Sequence, residues 1–166
     1  MTTANSDIHT SSTGGANRDR RRCDEIMTRN VVTAQASMSL RQVAALMRDG
    51  DMGAIPVVDE TGKLLGILTD RDIVVRALAE GLDPNATSVD AVMTSEIYSA
   101  RPRDFVFEAI RLMREKQVRR VPVIDDGGKL QGILAMADIA LEMEDEREIA
   151  ETLEDISSGS AFWRKS

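Results

Sequence analysis

Apolar and polar positions change period several times along this chain, and the changes come round twice. From Leu40 the apolar residues fall at Leu40, Val43, Ala44 and Met47, the i, i+3, i+4, i+7 stripe of an amphipathic helix. Two short apolar runs of strand length follow, Ala54–Val58 and Leu64–Leu68. Between them lies Asp59-Glu60-Thr61-Gly62, whose Asp and Gly suit a tight hairpin. Another helix is predicted from about Asp70, and Val31–Thr33 forms a short β-rich piece ahead of the first helix. The same succession returns 66 residues later. Ile97–Ser99 is followed by a helical stripe at Val106, Ala109, Ile110 and Met113. Two strands around Asp125-Asp126-Gly127-Gly128 come next, then a helix from about Met136.

Residue identity repeats along with the pattern. Met27-Thr28 returns as Met93-Thr94, and Leu46-Met47-Arg48 as Leu112-Met113-Arg114. Across Leu46–Ile73 and its partner 14 of 28 positions are identical, which chance does not supply, so the chain is a duplication. One copy of about fifty residues is too small to bury a convincing core alone. The two are therefore expected to pack sheet against sheet as one α/β body of β-α-β-β-α units. Gly81 can end the last helix of the first unit, and Pro84 forbids its continuation. The resulting division is a disordered tail at 1–22, repeat 1 at 23–82, repeat 2 at 83–143, and an acidic C-terminal helix and tail at 144–166.

Composition adds exclusions. The chain has 166 residues, 42% hydrophobic and 30% charged, the balance of a soluble globular protein. Its apolar runs are far too short to span a bilayer, and residues 1–17 lack a signal-peptide core, so a cytoplasmic protein without membrane partners is expected. Eight acids and one base lie between Glu142 and Asp155, so that segment alone carries the chain's net charge of −7. It is predicted to continue one helix from Met136 to about Asp155, weakened by like charges such as Glu142–Glu146. The acidic balance gives no support to nucleic-acid binding. The basic run, Arg18–Arg22, falls in the expected tail.

His9 is the only histidine and sits in that tail, so neither a His-based acid–base pair nor a metal cluster is expected. Cys23, the only cysteine, is read as an inert surface thiol, although the preceding arginines could lower its pKa. Asp126-Gly127-Gly128-Lys129 is a hairpin turn, since the full phosphate-loop pattern is absent. Ala161–Lys165 is read as a frayed terminus.

The combination of a Met-Thr start, a helix, h-P-V-h-D, a Gly hairpin and G-h-h-T-x-x-D resembles the cystathionine-β-synthase (CBS) domain family. Two such repeats in tandem resemble its paired form, the Bateman module. The resemblance spans about Cys23 to Met143. With no fused catalytic or transport domain, and with the DRDIV…GLDPN stretch, the chain is similar to stand-alone stress-associated members of the hypoxic-response type. It implies a regulatory module, not an enzyme, with no obligatory cofactor and with AMP, ADP or ATP as candidate ligands between the repeats. The rival expectation is a ligand-free module that binds an unknown protein effector. Paired modules of this kind usually associate through helices, so a homodimer is expected. Val74, Val75 and Leu78 beside Ile139, Leu141 and Met143 are its candidate faces.

Thr69 and Asp72 stand where a strand gives way to a helix, and two readings stay open. Thr-x-x-Asp approximates a capping box. The same place offers helix N–H donors to a phosphate and a carboxylate to a ribose diol, and the resemblance implies that Asp72 holds the ribose. Arg71 would add a cation. The second copy keeps Asp138 but has Ala135 and Ala137 where the first has Thr69 and Arg71, so one good site is expected. Arg119 and Arg120, before Val121-Pro122, are either solvated strand-end charges or a phosphate clamp. In the first copy Gly53 and Ala54, before Ile55-Pro56, would leave room for an adenine ring, and Ala54, Ile55 and Pro56, with Pro122 in the second copy, are candidate ligand-binding residues. Val32, Thr33 and Ser99 are ordinary strand ends or, by resemblance, contacts to the adenine edge.

Overall fold

A computed structural model describes residues 21–142, together with Glu154. Its elements in order are α1 (Cys23–Ile26), β1 (Ala34–Gln35), α2 (Leu40–Asp49), β2 (Ala54–Val58), β3 (Leu64–Thr69) and α3 (Asp70–Asp72). A π-helical segment (Ile73–Leu78) and a 3-10 turn (Val89–Ala91) precede α4 (Val106–Lys116), β4 (Arg120–Ile124), β5 (Leu130–Ala135) and α5 (Met136–Glu142).

Local chemistry sets these boundaries. Ser39 caps α2, its Oγ accepting from Gln42 N–H while Gln42 Oε1 accepts from Ser39 N–H. The hairpin after β2 is closed by Asp59, whose Oδ1 accepts from Thr61 and Lys63 N–H, and Asp125 does the same for Gly127 and Lys129. Gly62 and Gly128 take φ of 84° and 81°, values that favour glycine. Gly81, at φ 71°, ends the helical run where the sequence placed its stop.

Three expectations change. The first strand of each unit starts after, not within, the predicted β-rich piece. Ala34 pairs in parallel with Val57, and Ala100 bridges Val123, while Val32 and Thr33 are exposed. The pairing residue is in each unit a buried alanine, Ala34 or Ala100. Ala44 is exposed, so the α2 stripe narrows to Leu40, Val43 and Met47. Ile139 is fully buried and leaves the apolar surface, whereas Leu141 stays 87% exposed. Apart from Glu154, which is helical and exposed, the remainder of the predicted acidic helix, Met143 included, lies outside the described residues, as do the tail through Arg20 and the terminal Ala161–Lys165.

The two units have separate cores, and each recruits part of its core from the other repeat. Cys23 and Met27 pack with Val106, Met113, Val121 and Leu134, the core of the second unit. Val89 and Val92 pack with Leu40, Val43, Ile55 and Leu68, the core of the first, with Met93 partly buried against it. Backbone pairing follows the same exchange. Thr28 and Ile133 donate to each other's carbonyls at 2.9 Å, and so do Thr94 and Ile67 at 2.9 and 3.0 Å. These pairs are 66 residues apart, so the exchange obeys a pseudo-twofold relation. Near its axis Leu64 N–H donates to Gly128 O and Leu130 N–H to Gly62 O.

Glycine makes the crossings possible. A Cβ on Gly132 would lie 2.7 Å from Thr28 O and from Met27 Sδ. On Gly66 it would lie 2.9 Å from Thr94 O. Backbone carbonyls held in a ladder cannot retreat, so only glycine fits.

Candidate functional site

Each unit gathers its candidate residues at one end of its sheet. β1 runs parallel to β2 and β3 returns antiparallel, so the start of β1, the start of β2 and the end of β3 share that end. Ala54 is the register partner of Thr69, with Val32 and Thr33 just ahead of β1. In the second unit Arg120 is the partner of Ala135, Ser99 precedes the Ala100 bridge, and Asp138 lies in the first turn of α5.

Strand periodicity decides which of these side chains are accessible. Ile55 is fully buried in the first core, so its side chain is withdrawn from the candidate set. Pro56 and Pro122 are buried but fall outside both core clusters, and Ala54 and Ser99 are half-buried.

Thr69 and Asp72 form the full capping box. Thr69 Oγ1 accepts from Asp72 N–H at 3.1 Å and donates to Asp72 Oδ2 at 2.7 Å, while Thr69 N–H donates to the same Oδ2 at 3.0 Å. The other oxygen, Oδ1, lies 3.5 Å from Arg76 Nε. The first-turn N–H groups expected to await a phosphate are all taken. Asp70 N–H donates to Gly53 O, Arg71 N–H to Asp70 Oδ1, Asp72 N–H to Thr69 Oγ1 and Ile73 N–H to Asp70 O. With those donors satisfied, an anion there must be met by side chains.

Cationic side chains are present. Arg71, Arg119 and Arg120 are exposed and carry no side-chain hydrogen bond or ion pair among the described residues. In contrast, Arg21 pairs with Glu142 at 3.1 Å, and Arg22 lies 5.0 Å over the Phe105 ring. Those two residues of the basic run are thus fastened to the second unit rather than lying in a tail. At the start of α5 no side chain caps the helix among the described residues. Ala135 lacks the hydroxyl, and Met136 N–H reaches Arg119 O at 2.9 Å.

Ser99 also borders a second feature, and Cys23 lies apart from the candidate residues. A cavity of about 200 Å3 lies against α4, lined by Ser99, Ala100, Asp104, Glu108, Ala109, Arg111, Leu112 and Glu115. It contains neither candidate carboxylate, and its acids do not suit a phosphate. Cys23 is buried rather than on the surface. Burial first, then the nearby Asp104, Glu108 and Asp24 carboxylates, push its thiol from 9.0 up to about 12. The native thiol is expected to react at pH 8 on the order of a hundredfold more slowly than the denatured chain. Equal labelling rates would show that the segment is open. The protonated thiol favours the fold fully below about pH 9, and that contribution is lost as pH rises toward 12.

Sequence reasoning missed Arg76. Its place one turn beyond Asp72 was a usable signal, but its contacts to the Val92–Thr94 segment were not legible.

The model of the CBS domain matches residues 23–78 and 89–145. A CBS domain-containing protein of Bacillus subtilis (strain 168), YhcV, is 38% identical over 133 residues, covering 80% of this chain and 93% of that protein. A structure of Hypoxic Response Protein I with two coordinated zinc ions has a TM-score of 0.69 and 37% identity, covering 74% of this chain and 99% of that one. The CBS domain pair of protein MJ0100, solved in complex with 5′-methylthioadenosine and S-adenosyl-L-methionine, has a TM-score of 0.66 and 29% identity, covering 74% and 94%. Among the described residues, no group of three or more His, Cys, Asp and Glu is arranged to hold a metal ion. No described helix is long and apolar enough to cross a membrane.

Proposed function

This chain belongs to the CBS domain family and carries two copies of the domain, and from that premise we propose that it is a regulatory module sensing an adenosine-containing nucleotide between its repeats. The observation that carries the reading is the company each carboxylate keeps. Asp72 stands beside unpaired Arg71 at the end of one sheet, and Asp138 stands in α5 near unpaired Arg119 and Arg120 at the end of the other. A carboxylate accepts two hydrogen bonds from a ribose cis-diol, and a guanidinium fork suits the phosphate. Val32, Thr33, Ala54, Pro56, Ser99 and Pro122 supply the remaining wall. The MJ0100 pair, solved with two adenosine-containing molecules, supports the ligand class. The family matched is not a catalytic one, and the reading assigns the chain no chemical step. Titration calorimetry with AMP, ADP, ATP, 5′-methylthioadenosine and S-adenosylmethionine tests it. Binding of one of them with a 1:1 or 2:1 stoichiometry is expected, and heat from none of the five overturns the reading.

A second reading, a ligand-free module that binds a protein partner or its own copy, is favoured by one surface. Val74, Val75, Leu78 and Leu82 are all 40–55% exposed on and just beyond the π-helical segment, an apolar face larger than scattered single residues. We expect this face to join two copies, and light scattering at micromolar concentration should return twice the chain mass. A monomer mass would remove the dimer.

A further inference from the structure

Arg76 touches both the Asp72 carboxylate and the segment that opens the second repeat. Its Nε lies 3.5 Å from Asp72 Oδ1, and its Nη1 donates to Val92 O at 3.0 Å and to Thr94 Oγ1 at 3.1 Å. Thr94 is in turn the residue that exchanges backbone hydrogen bonds with Ile67 of β3. Val92 is buried in the first core. One guanidinium therefore ties a carboxylate at the end of one sheet to the stretch where the chain leaves that unit for the next.

Among the described residues the link exists in one unit only. Sixty-six residues beyond Arg76 stands Glu142, which accepts a hydrogen bond from Arg21 instead. Backbone geometry differs in the same place. The turn bearing Arg76 is π-helical over Ile73–Leu78, whereas the equivalent α5 is α-helical throughout Met136–Glu142. π segments are rare and recur at functional sites, since they give up α-helical hydrogen bonding to re-aim side chains.

We propose that Arg76 is a positioning residue that couples the state of Asp72 to the crossover segment Val92–Thr94. A diol bound at Asp72 thereby re-seats the junction between the repeats. The ligand half rests on the adenosine reading above; the link itself belongs to the ligand-free protein. Hydroxyls donated to Oδ1 satisfy that oxygen and weaken its hold on Nε. At 3.5 Å, with Arg76 half-exposed, the ion pair is weak and readily exchanged, as a switch requires. Once its anchor is released, the guanidinium is no longer aimed at Val92 O and Thr94 Oγ1.

Amide hydrogen exchange on the full chain tests this with Arg76→Gln, Asp72→Asn and the double variant, ligand-free and with saturating AMP. Asparagine retains an oxygen for Thr69 N–H, so the cap survives while the charge is lost. Without ligand, Thr94 and Ile67 amides are expected to exchange severalfold faster in either single variant, and no faster in the double one. The equivalent Thr28 and Ile133 amides, beside which the described residues place no such cation, should not move. With AMP, the parent should show the same acceleration at Thr94 and Ile67, and Arg76→Gln no further change. Unaltered Thr94 exchange in Arg76→Gln, additive effects in the double variant, or equal loosening at Thr28 and Ile133 would each overturn the link. AMP binding to the parent without acceleration at Thr94 overturns the coupling and leaves the adenosine reading standing. Ligand-free coupling in a protein that binds no AMP supports the link and removes AMP from the adenosine reading.

Discussion

Asp72→Ala is expected to lower the affinity for an adenosine nucleotide at least tenfold. The carboxylate would accept hydrogen bonds from the two ribose hydroxyls, and charge-assisted hydrogen bonds contribute roughly 1.5–3 kcal/mol each. A tenfold loss needs only about 1.4 kcal/mol. The same substitution removes the acceptor of Thr69 N–H and Oγ1–H, so stability should also fall, by about 1 kcal/mol. A residue that only caps would show the second effect without the first. Asp138→Ala should weaken binding less, because Ala135 and Ala137 already deny that end the hydroxyl and the guanidinium that Thr69 and Arg71 offer. Calorimetry on both variants, with thermal melts to confirm folding, reads the difference. Equal losses would mean that the two copies bind alike, and unchanged binding by Asp72→Ala would return the box to capping alone.

Removing residues 1–29, so that the chain begins at Asn30, is expected to unfold the second unit although the deletion lies at the start of the first repeat. It strips Cys23 and Met27 from the second core, the Thr28–Ile133 pairing from β5, and the Arg21 carbonyl from Val106 N–H at the head of α4. Truncation of one buried methionine typically loses about 2–5 kcal/mol. Losing two core side chains with their backbone pairing approaches the about 5–15 kcal/mol that stabilises a whole domain. Exchange protection should vanish from β4 and β5 while β2 and β3 keep theirs, since the first core draws on Val89, Val92 and Met93 instead. Full protection of β4 and β5 in the shortened chain would show that the exchanged segment is dispensable.

Much of this architecture was legible because duplication prints the same period twice. Ala54–Val58 appears with the predicted limits, β3 runs one residue further than its predicted stretch, and the stripe at Val106, Ala109, Ile110 and Met113 is buried throughout. Thr69 and Asp72 were readable as a capping box since capping needs only two side chains three residues apart. Where short-range pattern competed with packing, packing prevailed. Val31–Thr33 has strand composition, yet the ladder begins at buried Ala34, which pairs with Val57, while Val32 and Thr33 stay exposed. Ile55 looked like a ligand wall from its neighbours Ala54 and Pro56, but alternation turns it into the core.

The sequence by itself determined the repeat, the order and type of its elements, the hairpin turns, and the difference between Thr69–Asp72 and Ala135–Asp138. All of these rest on local periodicity or on residue identity at a fixed offset. Only the tertiary structure decided that each core borrows its Met-Thr segment from the other repeat, that Cys23 is buried among carboxylates, and that the first-turn N–H groups at Asp70–Ile73 are already satisfied. Arg76 reaching Val92 and Thr94 belongs with them. The borrowed core segments, the burial of Cys23 beside Asp104 and Glu108, and the reach of Arg76 share one physical reason: each joins positions far apart in the chain, which only the folding of one repeat across the other brings together, whereas the first-turn N–H groups are met within the first repeat.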